Sequence, residues 1–239
     1  MKDYALVTGG SQGIGLAICR RLKEDGATPI IFDRVAPADP DLGEFREVDL
    51  SDTGATAAAL EWALALGPVS RLVNNVGMVL PALLEDTSLE DFDTLMALNV
   101  RCAIQCTKTL APAMRERGMG RIVNIASRAA LGKALRTNYS ASKAALIGLT
   151  RTWSLELAAD GITVNCICPG PIATELYKIA NPADDPRTIA SLATIPAGRI
   201  GAPEDIAQAA AFFLHADSGF INGQTLYVCG ASSIGRAGV

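Results

Sequence analysis

Tyr139 and Lys143 stand four residues apart in Tyr139-Ser140-Ala141-Ser142-Lys143. On a helix that spacing puts a phenol and an ammonium on one face, about one turn apart. An isolated pair of this kind is also met as a packed tyrosine beside a solvated lysine. Ser127 changes the balance: it stands at the carboxyl end of the strand Ile122 to Ala126, twelve residues before Tyr139. That is the sheet edge at which open α/β folds bind ligands, so three groups could converge there. A phenol acting as general base near neutral pH must ionise below its ordinary ~10, and the Lys143 ammonium close to it would favour the phenolate. Ser127 could hydrogen-bond the reacting oxygen as charge builds on it.

A second candidate site precedes these residues. Thr8-Gly9-Gly10-Ser11-Gln12-Gly13-Ile14-Gly15 follows an apolar strand and opens a helix. Its glycines allow a tight turn and close backbone approach, while the free N–H groups of the helix start attract a pyrophosphate. The pattern is TGxxxGxG instead of the usual GxGxxG, and a plain strand-to-helix turn would also account for it. Asp33 closes the second strand eighteen residues past Gly15. A carboxylate there can accept hydrogen bonds from both adenosine ribose hydroxyls and repels a 2′-phosphate, which favours NAD over NADP. Arg34 beside it is the countersign, since its planar fork could meet a phosphate.

These groups need a sheet edge to bring them together, and the chain supplies one. Short β-rich runs at Tyr4 to Thr8, Pro29 to Phe32, Phe45 to Val48, Leu72 to Asn75, Arg121 to Ala126, Ile162 to Ile167 and Thr225 to Val228 alternate with helix-period segments. Those segments are Ile14 to Glu24, Ala55 to Leu66, Leu89 to Arg117, Ser140 to Ala158 and Pro203 to Leu214. Repeated βα units of this kind predict one α/β domain over 1–239, a parallel sheet with right-handed crossovers. Between Asp33 and Phe45, Pro37 and Pro40 exclude a full helix. The break from Glu175 to Arg199 is long enough for a lid over the site.

Composition narrows the function classes. The 239 residues are 49% hydrophobic and 19% charged, below the ~25% usual in globular chains, so part of the surface is expected to be covered. Lys and Arg number 21 against 25 Asp and Glu, a formal net charge of −4, and aromatics are 5%, which argues against nucleic acid as a partner. No run approaches the ~20 apolar residues of a membrane span, the charge-free segment Ser218 to Gly235 being rich in Gly, Ser, Asn and Gln. No export signal is read before the first strand. Six cysteines, Cys19, Cys102, Cys106, Cys166, Cys168 and Cys229, lie mostly in apolar runs without histidines at zinc spacing. They are expected to be buried thiols in a reducing cytoplasm, with no metal site.

The motifs taken together resemble the short-chain dehydrogenase/reductase family across essentially the whole chain. In order they are Thr8 to Gly15, Asp49 in Val48-Asp49-Leu50, Asn74-Asn75-Val76-Gly77, Asn99 in Leu98-Asn99-Val100, Ser127, Tyr139 with Lys143, and Pro169-Gly170-Pro171-Ile172. The resemblance implies a Rossmann-type doubly wound sheet flanked by helices on both faces, a nicotinamide cofactor and a tetrad of Asn99, Ser127, Tyr139 and Lys143. It implies that Gly9, Ser11, Gln12, Gly13, Ile14, Gly15 and Asp33 hold the cofactor, with Asp49 and Leu50 at the adenine. Asn75 and Gly77 would meet the adenosine-side ribose and backbone, Pro169, Gly170, Ile172 and Thr174 the nicotinamide end, and Lys143 the nicotinamide ribose. Asn99 would hold a water linking Lys143 to solvent. The chain departs from the family pattern at Val76, where Ala is commoner, and at Val228-Cys229-Gly230-Ala231, where an Asp-Gly-Gly is often found near a subunit contact.

The expected function is reversible hydride transfer between NAD and a small secondary alcohol or ketone, in the oxidative direction. An NADPH-dependent 3-oxoacyl-carrier reductase and a non-catalytic dinucleotide-sensing protein are the alternatives. Arg128, Lys133 and Arg136 lie between Ser127 and Tyr139 and could meet a carboxylate, sulfonate or phosphate, or simply belong to a solvated loop. Met78, Val79, Leu80, Leu131, Leu176, Tyr177 and Ile179 are apolar pocket candidates. His215, the one histidine, is read as a surface residue after a helix. Ala141, Ala144, Ala145 and Gly148 permit close helix contact, inside the chain or between chains. With the family's habit of tetramers, a homotetramer of dihedral symmetry is expected.

Overall fold

Side-chain alternation in the first strand, β1 (Tyr4–Thr8), sets the layers of the fold. Tyr4 and Leu6 join the core on one side, Ala5 and Val7 the core on the other, and all five residues are buried. The same division runs through β2 (Thr28–Asp33), where Ile30 and Phe32 oppose Ile31. Strands apolar on both faces must be covered on both, and the crossovers of a parallel sheet supply the helices to do so.

The computed structural model describes residues 3–234. Positions 1–2 and 235–239 of the expected domain, including Gly235 at the end of the charge-free segment, lie outside the described residues. Five further strands, β3 (Glu44–Glu47), β4 (Val69–Asn74), β5 (Gly120–Ile125), β6 (Ile162–Pro169) and β7 (Thr225–Val228), complete one parallel sheet. Its order is β3-β2-β1-β4-β5-β6-β7, the doubly wound arrangement expected, with the reversal of winding between β1 and β4.

The helices are α1 (Gly13–Glu24), α2 (Thr53–Leu66), α3 (Leu89–Met96), α4 (Cys102–Glu116), α5 (Thr137–Leu157), α6 (Glu175–Ala180), α7 (Pro186–Leu192) and α8 (Pro203–Leu214). Ile18 and Leu22 of α1 pack with Ile206 and Phe213 of α8 on one face. Leu60 of α2, Leu110 and Met114 of α4 and Leu157 of α5 cover the other. Among the described residues no helix is long and apolar enough to cross a membrane.

The periodic stretch Leu89 to Arg117 predicts one helix, but the structure divides it. A π-turn, Ala97–Arg101, separates α3 from α4. A π-turn inserts an extra residue into the ladder, and none of Ala97-Leu98-Asn99-Val100-Arg101 is a helix breaker that would announce it. Its consequence is functional, because Asn99 lies within it and is only 2% exposed. The crossover between β2 and β3 holds no helix, as its prolines predict. Helix α5 starts three residues before the expected Ser140, so Tyr139 and Lys143 share its first turns. The expected lid region contains α6 and α7, whose first turns are capped by Thr174 and Asp185. His215 is exposed after α8 and accepts the Asp217 amide at Nδ1.

Candidate active site

Each parallel strand directs its carboxyl end to the same edge, and a crevice opens there where the winding reverses. In this chain the crevice is a cavity of about 360 Å³ whose wall runs from Asp33, past Gly9, to Ser127 and Tyr139. At the Tyr139 end, the i, i+4 spacing on α5 places Lys143 Nζ 5.8 Å from the Tyr139 ring centroid. Lys143 is 3% exposed, donates to the Ile125 carbonyl at 2.9 Å, and is pulled down to about 8, chiefly by burial. Ser127 Oγ accepts the Ala129 amide at 3.1 Å at the start of the 3₁₀ turn Arg128–Leu131, which leaves its own proton to donate toward Tyr139 or a ligand.

Tyr139 is hydrogen-bonded to Ser127, and its phenol is pushed above the ordinary value of 10. Burial raises it; the Ser127 bond and the Arg136 guanidinium pull in the opposite direction without prevailing. In the chain by itself Arg136 is the cation that draws the phenol down, and desolvation outweighs both favourable contacts. The sequence offered no sign of this, because the burial of Arg136 depends on how its loop folds back over the site.

Asn99 is placed by the π-turn. Its Oδ1 accepts the Met78 amide at 2.9 Å, and its Nδ2 donates to the Met78 carbonyl at 3.1 Å and to Ser142 Oγ at 3.0 Å. A Cβ on Gly77 would come within 3.1 Å of Lys143 Nζ and 3.2 Å of Asn99 Oδ1. Gly77 is thus the residue that lets this segment lie directly against both. Ser142 and the Ile125 carbonyl escaped the sequence reading; neither residue type carries a signal for its role.

The other end of the cavity fits a dinucleotide. Gln12 precedes α1 with no side-chain cap, leaving amides of the helix start for a ligand, and Gln12, Gly13 and Ile14 line the cavity. Gly9 and Gly13 have φ of +66° and +52°, where a side chain would be strained. A Cβ on Gly15 would stand 2.0 Å from the Gly9 carbonyl oxygen, so Gly15 serves the packing of the turn and does not line the cavity. Ser11 Oγ is buried without a hydrogen-bond partner among the described residues, and Ser11 is not in the cavity wall. The Ser11 amide donates to Asp33 Oδ2 at 3.1 Å, tying the glycine turn to the end of β2.

Pro169, Gly170, Ile172 and Thr174 line the same cavity. Asn75 does too, although its Nδ2 donates to the Thr8 and Gly9 carbonyls, both at 3.0 Å, and so braces the glycine turn. Asp49 and Leu50 are not in the cavity wall. Asp49 is exposed and held below the usual carboxylate range, first by the Ser51 hydroxyl and amide, with Arg34 adding its charge. Leu50 is 4% exposed and belongs to the core of Phe32 and Leu60. Of the apolar pocket candidates, Val79, Leu176 and Tyr177 line the cavity, whereas Met78, Leu80, Leu131 and Ile179 do not. Leu131 and Ile179 are exposed instead.

Comparison with known proteins adds to this geometry. A family model described as "Enoyl-(Acyl carrier protein) reductase" matches residues 9–231. The chain is 38% identical over 248 residues to (2S)-[(R)-hydroxy(phenyl)methyl]succinyl-CoA dehydrogenase subunit BbsD of Thauera aromatica, covering 96% of each chain. It is 38% identical over 237 residues to an acetoacetyl-CoA reductase of Rhizobium meliloti, covering 95% of this chain and 96% of that one. Among solved structures, a gluconate 5-dehydrogenase of Burkholderia cenocepacia in complex with NADP and tartrate is similar at a TM-score of 0.91 and 32% identity, over 99% of this chain and 97% of that one.

Proposed function

The chain belongs to the short-chain dehydrogenase/reductase family, and on that premise we propose that it is an NAD-dependent oxidoreductase interconverting a small secondary alcohol and its ketone. The observation that carries the reading is the meeting of Ser127, Tyr139 and Lys143 in the wall of the cavity that Asp33 and the glycine turn also line. Tyr139 takes the hydroxyl proton as the alcohol is oxidised and returns it in reduction. Ser127 donates to the substrate oxygen and stabilises the charge that develops there. Bound in this cradle, the nicotinamide supplies the two-electron acceptor or donor for the substrate carbon. Lys143 holds the nicotinamide ribose and brings positive charge beside the phenol. Asn99 is a positioning residue: its side-chain amide is engaged by Met78 and Ser142.

Asp33 supports NAD. Its carboxylate lies in the cavity wall at the end of β2, where it would accept ribose hydroxyls and repel a 2′-phosphate. The charge of the neighbouring Arg34 reaches Asp49. The second reading, an NADPH-dependent 3-oxoacyl-carrier reductase, is favoured by the likeness to an acetoacetyl-CoA reductase and by the NADP held in the Burkholderia cenocepacia relative. Parallel fluorescence titrations with NADH and NADPH decide between them. NADH is expected to bind at least about tenfold tighter, and Asp33→Ser to shrink that ratio by about tenfold. Tighter NADPH binding by the unaltered chain would put the second reading first.

The remaining assignments follow from the same reading. Segment 175–199, carrying α6 and α7, acts as a lid over the substrate, since Leu176 and Tyr177 already line the cavity. The protein works as a homotetramer, a role for which the exposed Ala141, Ala144 and Gly148 on α5 are suited. Six free cysteines, all buried, suit a reducing cytoplasm.

A further inference from the structure

The loop between Ser127 and Tyr139 carries three cations, and the fold turns all of them inward. Arg128, Lys133 and Arg136 line the same cavity as the Ser127 hydroxyl and the Tyr139 phenol. Arg136 is only 5% exposed. It is held by a rigid frame: the isolated bridge Ala82↔Arg136, the Ala82 amide donating to the Leu135 carbonyl at 3.2 Å, and Leu135 itself at φ +63°. A left-handed leucine is unfavourable, and such strain persists only where surrounding structure imposes it, often at ligand sites.

Neutral groups hold the other two. Arg128 Nη1 donates to the Ser232 carbonyl at 3.2 Å, and Lys133 Nζ to Asn181 Oδ1 at 3.2 Å. The acids in the cavity wall are engaged elsewhere. Asp33 accepts the Ser11 and Arg34 amides at the far end, and Glu175 accepts Lys178 Nζ at 2.6 Å. The three cations also act on one another: burial lowers the Lys133 ammonium first, and the charges of Arg136 and Arg128 lower it further. Like charges gathered in a partly dry site are costly until an anion joins them.

We propose that Arg128, Lys133 and Arg136 form an anion subsite, so that the substrate is a hydroxy acid or its sulfonate or phosphate counterpart. Its charged group lies a short chain away from the carbinol carbon. The subsite rests on the reading of this cavity as a dehydrogenase site, because it orients the alcohol toward Tyr139 and Ser127. It selects among alcohols: a neutral substrate brings no charge to Arg128 and Lys133, which only neutral groups hold.

Calorimetric titration of the full chain with malonate, sulfoacetate and phosphoglycolate tests the subsite, with neutral malonamide as the control. At least one of the three anions is expected to bind at least about tenfold tighter than malonamide, and Lys133→Gln or Arg128→Gln to weaken it about tenfold or more. The arm that binds tightest identifies carboxylate, sulfonate or phosphate as the chemistry. Absence of binding by all three, or binding indifferent to both variants, overturns the subsite. So does a loss of NADH or NADPH affinity in the variants as large as the loss for the anion, which would assign the cations to the cofactor's phosphates. Cofactor titration of the unaltered chain judges the dehydrogenase reading separately, since it needs no substrate, so its failure is distinguishable from failure of the subsite.

Discussion

Replacing Lys143 by methionine should make the cofactor-free protein more stable while removing its activity. Lys143 is 3% exposed, and its Nζ donates to the Ile125 carbonyl. Burial pulls it from 10.5 down to about 8, which corresponds to a penalty of about 3 kcal/mol on the charged form at pH 7. Methionine keeps the length of the chain and removes the charge; the donor lost to Ile125 costs about 1 kcal/mol, leaving a gain of about 2 kcal/mol. For a chain of this size, that raises the melting temperature by about 4–8 °C.

The folded value lies below the unfolded one, so between pH 8 and 10.5 the unfolded chain holds more protons and wild-type stability climbs with pH. The lead of Lys143→Met is therefore full below about pH 8 and fades as pH approaches 10.5. Scanning calorimetry of both proteins at pH 7, 8.5 and 10 measures it. A variant that melts at or below wild type at pH 7, or a lead that does not change with pH, would refute the claim that this buried cation is held at the expense of the fold.

Two further outcomes follow from the site. Tyr139→Phe should lower kcat for alcohol oxidation by about 10²–10⁴-fold while NADH still binds, because the phenol oxygen is the proposed proton acceptor; near wild-type turnover in a steady-state assay would remove Tyr139 from that role. Sedimentation velocity at micromolar concentration should give a species of about four chains, since the small-residue face of α5 is exposed in the isolated chain. A clean monomer would assign that face to another use.

Much of this architecture was legible before any coordinates. Seven β-rich runs separated by helix-period segments specify a parallel sheet, since the central strands are buried on both faces and that has few other solutions. The glycine turn, Ser127 and the Tyr139–Lys143 pair were readable because their chemistry depends on local spacing: a turn after a strand, a residue at a strand end, four residues along a helix. Pro37 and Pro40 likewise predicted the missing crossover helix, for proline acts through its own backbone.

Long-range effects were not readable in this way. The π-turn that turns Asn99 inward follows from contacts with Met78 and Ser142, distant in sequence, and no residue in it departs from helical preference. Asp49 and Leu50 match a motif, yet only the assembled sheet shows that one is exposed and the other is in the core. Residue types and spacings were sufficient for the strands, the glycine turn and the candidate groups Ser127, Tyr139 and Lys143 that share its cavity, because covalent geometry and side-chain periodicity act over a few residues. The inward turn of Arg128, Lys133 and Arg136, the phenol raised by burial and the lowered Lys143 belong to the folded molecule, because desolvation and charge proximity exist only once distant segments have closed around them.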